Sequence, residues 1–271
     1  MGAVDYRGQL TLVTGASSGL GAEFARQLAR RGSDLVLVAR RRDRLEALAG
    51  ELSSRHGVTA HVEVRDLGEE RAGEVLAAEL RERGLVVTSL VNNAGFGTFG
   101  PFHREDPARL RQEIAVDVSA VVDLSRAFID QLREHGRGVL VNVASMAAYQ
   151  GNPRMAVYGA TKAFVLSLTE ALWAESRGTG LRVMALSPGA TRTEFFDVTG
   201  TLDAAGGQAL QDPEEVVATA LRALDRRNPP PGVIAGRRNR VVAGAARHLM
   251  SRAQVVRAVG RLTGRTSPAA G

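Results

Sequence analysis

The sequence has no cysteine, which excludes disulfides and thiolate metal sites. Its five histidines are scattered, with no HExxH spacing, so no metal site is expected. No apolar run approaches the roughly 18 residues needed to cross a bilayer. The N-terminal stretch MGAVDYRGQL lacks an apolar signal core, and Tyr6 stands where a myristoylation signal needs Ser or Thr. These absences give an expectation of a cytoplasmic protein. Lysine is nearly missing too: of 35 basic residues only Lys162 is lysine. A guanidinium is a planar fork and an ammonium a compact point charge. The surviving lysine therefore marks a position where a fork will not serve.

What is present suits one large α/β domain. The chain has 271 residues, 44% apolar and 24% charged, enough for a sizeable core. No composition break divides it, and we read residues 1–236 as a catalytic body and 237–271 as its basic helical extension. Net charge is +6, and ten arginines with no acidic residue lie between Arg226 and Arg265. In the tail Val241/Val242, Ala245/Ala246, Leu249/Met250, Ala253 and Val256 recur every three to four residues, the spacing of one or two amphipathic helices. Such a tail is expected to pack on protein, with peripheral contact to an anionic membrane as the alternative. Nucleic acid is not an expected partner.

Along the chain, strands alternate with helices. Strands are predicted at 9–13, 34–38, 59–64, 87–91, 138–143, 181–187 and 232–236. Helices are predicted at 19–31, 43–55, 69–83, within 106–135, at 155–176 and at 213–224. Asp212-Pro213-Glu214-Glu215 opens the last of these with an N-cap, a first-turn proline and an acid at the third position. This alternation specifies a doubly wound parallel sheet covered on both faces, a three-layer α/β/α arrangement.

Between the first strand and first helix lies Thr14-Gly15-Ala16-Ser17-Ser18-Gly19-Leu20-Gly21. Glycines there allow a tight turn and close backbone approach, and unpaired N–H groups at a helix start attract a pyrophosphate. The same letters satisfy the G-x-S-x-G elbow of serine hydrolases. That elbow, however, lies deep in its sheet, and Gly21 would have no role in it. In NAD-binding folds an acid some 20 residues further on accepts the ribose hydroxyls. Here Arg40 occupies that place. A guanidinium suits a 2′-phosphate, so NADP(H) is the expected cofactor.

Tyr158 and Lys162 are four residues apart on a predicted helix and share one face. A phenol with a pKa near 10 is a poor acid/base at neutrality, and a nearby cation favours its ionised form. The pair thus has the chemistry of a general acid/base.

With these residues in view the sequence resembles the short-chain dehydrogenases/reductases over roughly residues 8–236. The resemblance rests on Thr14-Gly15-x-x-x-Gly19-x-Gly21, Asn92-Asn93-Ala94-Gly95, Ser145, Tyr158-x-x-x-Lys162 and Pro188-Gly189 followed by Thr191 and Thr193. It implies a Rossmann-type fold in which Ser145 hydrogen-bonds the substrate oxygen and Tyr158 passes the proton. Lys162 would bind the nicotinamide ribose and lower the tyrosine pKa. It further implies that Asp66 and Leu67 face the adenine, and that Asn93, Ala94 and Gly95 line the cofactor. Pro188, Gly189 and Thr191 would meet its nicotinamide end, with Thr193 a neighbour.

One position departs from the family, which usually has an asparagine within V-N-V to hold a relay water; here the stretch is Val116-Asp117-Val118. Asp117 could hold the water while adding charge beside Lys162. Asn142 reads as structural, Trp173 as a contact in a homodimer or homotetramer or else part of the monomer core, and His103 as a surface residue or a substrate contact. The lid expected at 190–211, with Phe195, Phe196, Val198 and Leu202, suggests a partly apolar substrate. The function expected is hydride transfer between NADP(H) and a carbonyl or secondary alcohol. The alternative is a non-catalytic NADP-binding protein of the same fold.

Overall fold

The computed structural model describes residues 2–264. Residue 1, the side chains of residues 246–248 and residues 265–271 lie outside the described part, and with them the tail position Ala246 and the end of the predicted extension. Seven strands run β1 Leu10–Thr14, β2 Asp34–Ala39, β3 Ala60–Val64, β4 Ser89–Asn92, β5 Val139–Val143, β6 Arg182–Ser187 and β7 Gly232–Ile234. They form one sheet in the order β3-β2-β1-β4-β5-β6-β7, with every neighbouring pair parallel.

The helices are α1 Gly19–Arg30, α2 Arg42–His56, α3 Ala72–Glu82, α4 Pro107–Ile114, α5 Ala120–His135, α6 Ala156–Glu175, α7 Phe195–Thr199, α8 Pro213–Leu224, α9 Arg237–Leu249 and α10 Arg252–Thr263. Strand side chains alternate between faces, and each face has its own core. Val13, Leu35, Leu37, Val141 and Met184 pack under Phe24 and Leu28 of α1, Leu45 and Leu52 of α2, and Val217 and Leu221 of α8. Leu12, Val36, Leu90, Leu140 and Val183 pack under Leu76 of α3 and Leu124 and Phe128 of α5. The strands β2, β5 and β6 are buried on both faces along almost their whole length, which explains their mainly apolar runs. Removing one fully buried ring, such as Phe24, costs roughly 3–5 kcal/mol.

Several local features depart from the sequence reading. The helix expected at 69–83 begins only at Ala72, because Arg71 before it adopts a left-handed φ of 58°. The helical region 106–135 is interrupted at Ala115–Ser119 by a π-helical segment that carries Asp117. Such bulges often mark functional positions. The tail forms two helices. In α10, Val259, Leu262 and Thr263 line a cavity of the body at the carboxyl end of the sheet. On α9, Val241, Val242 and Leu249 face solvent.

Chain order in the sheet reverses between β1 and β4, since β2 and β3 lie to one side of β1 and the later strands to the other. The loops leaving the carboxyl ends of these two strands part there and leave a crevice, where open α/β sheets bind ligands.

Candidate active site

The crevice opens into a cavity of about 500 Å³. Its floor is the turn after β1. Gly15 has a φ of +66°, which L side chains rarely adopt. A Cβ on Gly21 would lie 2.3 Å from the carbonyl oxygen of Gly15. Thr14 joins this turn to the loop after β4: its hydroxyl accepts the N–H groups of Asn93 and Ala94 at 2.9 and 3.0 Å. The Asn93 side-chain amide in turn donates to the Thr14 carbonyl at 2.9 Å. Ser18, at the N-terminus of α1, makes no side-chain cap. The first-turn N–H groups, which a helix cannot pair internally, thus open on a cavity lined by Ser17, Ser18, Gly19 and Leu20. That arrangement fits a pyrophosphate.

At the end of β2 the cations divide their work. Arg40 is exposed and lies 3.8 Å from Asp66. Arg41 turns back to the glycine turn, donating to Ser17 Oγ through Nε and Nη2 at 3.2 and 2.9 Å and to Ser18 Oγ at 2.9 Å. Its Nη1 meets Glu194 at 2.8 Å, and Arg44 pairs with the second carboxylate oxygen of Glu194. Hydrogen bonds from Arg44, ahead of those from Arg41 and Ser18, hold the Glu194 carboxyl down at about 2. The corner suits a 2′-phosphate, with Arg41 as well placed for it as Arg40.

The opposite end of the cavity is built by α6. Tyr158 and Lys162 project from one face of it, with the ammonium 5.6 Å from the tyrosine ring centre. Lys162 Nζ donates to Asp117 Oδ2 at 3.1 Å and to the Val143 carbonyl at 3.3 Å, leaving one of its three N–H groups for the cavity. Asp117 Oδ1 accepts the Phe96 N–H at 3.0 Å. Burial pushes Asp117 upward against the pull of Lys162 and this N–H. Burial also pulls Lys162 down, but Asp117 and Tyr158 outweigh it, so the lysine lies above its ordinary value and is charged. Ser145 Oγ accepts the Ala147 N–H at 3.1 Å, leaving its hydroxyl proton for Tyr158, to which it hydrogen-bonds, or for a substrate oxygen. Phe195 lies against the Tyr158 ring with centroids 5.2 Å apart.

Lysine alone would lower the Tyr158 pKa, as expected. In the folded protein burial exceeds that pull, and Asp117 and Glu113 oppose it further, so the phenol lies above its usual value. Glu113, one turn before Asp117, is fully buried. Its Oε2 accepts the Thr98 hydroxyl at 2.9 Å, and its Oε1 has no partner among the described residues. Burial raises it to about 7, and the Asp117 charge adds to this against the Thr98 hydrogen bond.

The cavity brings together residues scattered along the sequence: Gly15, Ser17, Ser18, Gly19, Leu20, Arg40, Asp66, Leu67, Asn93, Ala94, Gly95, Ser145, Tyr158, Lys162, Pro188, Gly189, Thr191 and Thr193 all line it. Gly21 and Asp117 lie behind its wall, where Gly21 packs on Gly15 and Asp117 holds Lys162. Asn142 is structural, bonding Asn92 and Thr169 side chains at 2.9 Å each. Trp173 donates to the Pro229 carbonyl within the chain. His103 is exposed and does not line the cavity, so the substrate-contact alternative loses its footing. Sequence reasoning missed Arg41, Glu194, Glu113 and the α10 residues. For Arg41 the signal was at hand, since it directly follows Arg40.

Comparison with known proteins gives the same region. The family model for short chain dehydrogenases matches residues 9–201. Sulfoacetaldehyde reductase 2 of Chromohalobacter salexigens is 39% identical over 203 residues, 74% of this chain and 80% of that protein. The 7beta-hydroxysteroid dehydrogenase of Clostridium sardiniense is 30% identical over 220 residues, 81% of this chain and 84% of that protein. Among solved structures, a short-chain dehydrogenase from Sphingobium yanoikuyae in complex with NADPH superimposes with a TM-score of 0.77 at 35% identity, covering 89% of this chain and 95% of that one.

Proposed function

The chain belongs to the short-chain dehydrogenase/reductase family and is an NADP(H)-dependent oxidoreductase, and from that premise we propose that it acts on the carbonyl or secondary alcohol of an apolar substrate, with Tyr158 as the acid/base. The observation that carries this reading is the meeting of Tyr158, Lys162 and Ser145 at one end of a cavity whose further walls are Met146, Phe195, Phe196, Val198, Val259 and Leu262. The relatives pull in two directions, one named for a small sulfonate and one for a steroid. Of the cavity's cations, Arg40, Arg41 and Arg65 belong to the adenosine end, Lys162 is tied to Asp117, and Arg109 is stacked 4.1 Å over Phe96. Among the described residues no other cation lines the cavity, so the steroid-like direction fits better.

Bound NADP(H) supplies or takes the hydride. The chain's residues do the rest. The N–H groups at the start of α1 bind pyrophosphate, and Arg41 and Arg44, with Arg40 beside them, hold the 2′-phosphate. Ser145 donates to the substrate oxygen and fixes it beside the Tyr158 hydroxyl. In the reductive direction that hydroxyl gives its proton to the oxygen as it gains negative charge. In the oxidative direction the phenolate takes the proton back. The Lys162 charge steadies the phenolate, and its remaining N–H is placed for a ribose hydroxyl. A non-catalytic cofactor-binding role is not favoured, because the proton-transfer set is intact.

NADPH absorbance, read against a panel of bulky apolar ketones and small anionic aldehydes, tests this proposal. Turnover is expected with the former, and Tyr158→Phe should cut it at least about a thousandfold while leaving the cofactor Kd within about twofold. A variant that retained turnover would end the assignment of the proton to Tyr158.

We also infer a cytoplasmic homo-oligomer. The outward Val122 of α5 and Phe164 of α6 supply apolar contact, and size-exclusion chromatography reads the result. The solvent-facing Val241, Val242 and Leu249 beside Arg237 and Arg238 give α9 the character of a membrane-surface helix. Co-sedimentation with anionic vesicles, lost in Val241→Asp, is the expected outcome for that contact.

A further inference from the structure

Every cation at the 2′-phosphate corner is already matched by a carboxylate of the chain itself. Arg40 faces Asp66, and Arg41 and Arg44 share Glu194. Arg41 commits four of its five N–H groups: three to the hydroxyls of Ser17 and Ser18 and one to Glu194. Glu194 therefore presents two anionic oxygens to the cations that would receive the phosphate oxygens.

The position of Glu194 in the chain gives this arrangement a consequence. It lies in the lid segment immediately before α7, and Arg41 is 153 positions away in the chain. Its neighbour Thr193 packs on the phosphate turn, where a Cβ on Gly19 would come within 3.0 Å of the threonine methyl. Its other neighbour, Phe195, covers Tyr158. One carboxylate thus ties the segment that covers the acid/base to the subsite that distinguishes NADP(H) from NAD(H).

We propose that Glu194 is an internal occupant of the 2′-phosphate subsite, displaced when a 2′-phosphate binds Arg41 and Arg44, so that cofactor capture releases the lid from the turn. The proposal rests on the assignment of NADP(H) as the cofactor. Two like charges cannot share one guanidinium corner without cost, so the carboxylate must leave or the phosphate binds weakly. Removing the carboxylate charge should then strengthen 2′-phosphate binding and loosen the lid together, since the coupling is reciprocal.

The probe is 2′,5′-ADP, which carries the 2′-phosphate without a nicotinamide, and its control is 5′-ADP. Hydrogen exchange over residues 192–205 of the wild-type protein is measured with each, and NADP+ binding is titrated in parallel. Exchange should rise at least about threefold with 2′,5′-ADP and stay unchanged with 5′-ADP. In Glu194→Gln the segment should exchange fast without ligand, and 2′,5′-ADP should bind about tenfold tighter with 5′-ADP unaffected. Equal lid exchange with the two nucleotides, or unchanged 2′,5′-ADP affinity in Glu194→Gln, overturns the latch while NADP+ binding still upholds the cofactor assignment. Absence of NADP+ binding overturns both. Should Glu194→Gln fail to fold, the wild-type exchange comparison decides alone.

Discussion

Lys162 Nζ lies 3.1 Å from Asp117 Oδ2, with both side chains almost wholly shielded from solvent. The cation next to the acid/base is therefore neutralised from behind. Burial already raises the Tyr158 phenol, and the Asp117 charge raises it further by offsetting the lysine.

Asp117→Asn should accordingly lower the Tyr158 pKa. The phenolate is the base for alcohol oxidation, so the rising limb of the oxidation pH–rate profile should move to lower pH. A shift to higher pH, or superimposable profiles, would show that the carboxylate has no electrostatic hold on the tyrosine.

How much of this site was legible beforehand follows from how local each interaction is. Tyr158 and Lys162 share a helical face by spacing alone, and the glycine turn announces itself within eight residues. The alternation of strand and helix gave the sheet, with element ends misplaced by a few residues where turns such as that at Arg71 intervene. Glu194 was invisible, because its meaning comes from Arg41 and Arg44 across the sheet end. Glu113 reads as an ordinary polar helix residue until the loop carrying Thr98 closes over it. The pull of Lys162 on Tyr158 was inferred with the right sign, but the opposing burial depends on packing that no spacing reveals.

Glu113 makes stability depend on pH. Its folded-state pKa is raised from 4.5 to about 7 by burial. Its contribution is therefore fully present below about pH 4.5 and is lost as pH rises through about 7. The loss is on the order of 3 kcal/mol at most. Glu113→Gln keeps the shape without the charge and should flatten this part of the stability curve. Denaturant melts of both proteins at pH 5 and pH 8 measure it; an equal fall in the two would place the pH dependence elsewhere.

Gly21 lies within α1, where alanine is ordinarily favoured over glycine by about 1 kcal/mol. Here the added Cβ would sit 2.3 Å from the Gly15 carbonyl oxygen and 2.6 Å from Asn93 Nδ2. The first obstacle is backbone and cannot rotate away. Gly21→Ala should therefore destabilise the fold by roughly 1–3 kcal/mol and weaken NADP+ binding at least about tenfold by displacing the turn. A variant that melted higher and bound NADP+ normally would contradict the tight packing of the turn.

The helix α10 lies in the tail yet contributes Val259, Leu262 and Thr263 to the cavity wall. Leu262 remains half exposed, 50%, so a substrate that reaches it would cover surface that is wet in its absence. Half the burial of a leucine side chain is worth about 1 kcal/mol, close to a fivefold change in affinity. Leu262→Ala should raise KM for a bulky apolar ketone about fivefold and leave kcat nearly unchanged, because the contact is made equally before and during hydride transfer. A small ketone that cannot reach α10 should show no change in either constant. Equal effects on large and small ketones would mean that α10 supports the fold of the lid and does not touch substrate.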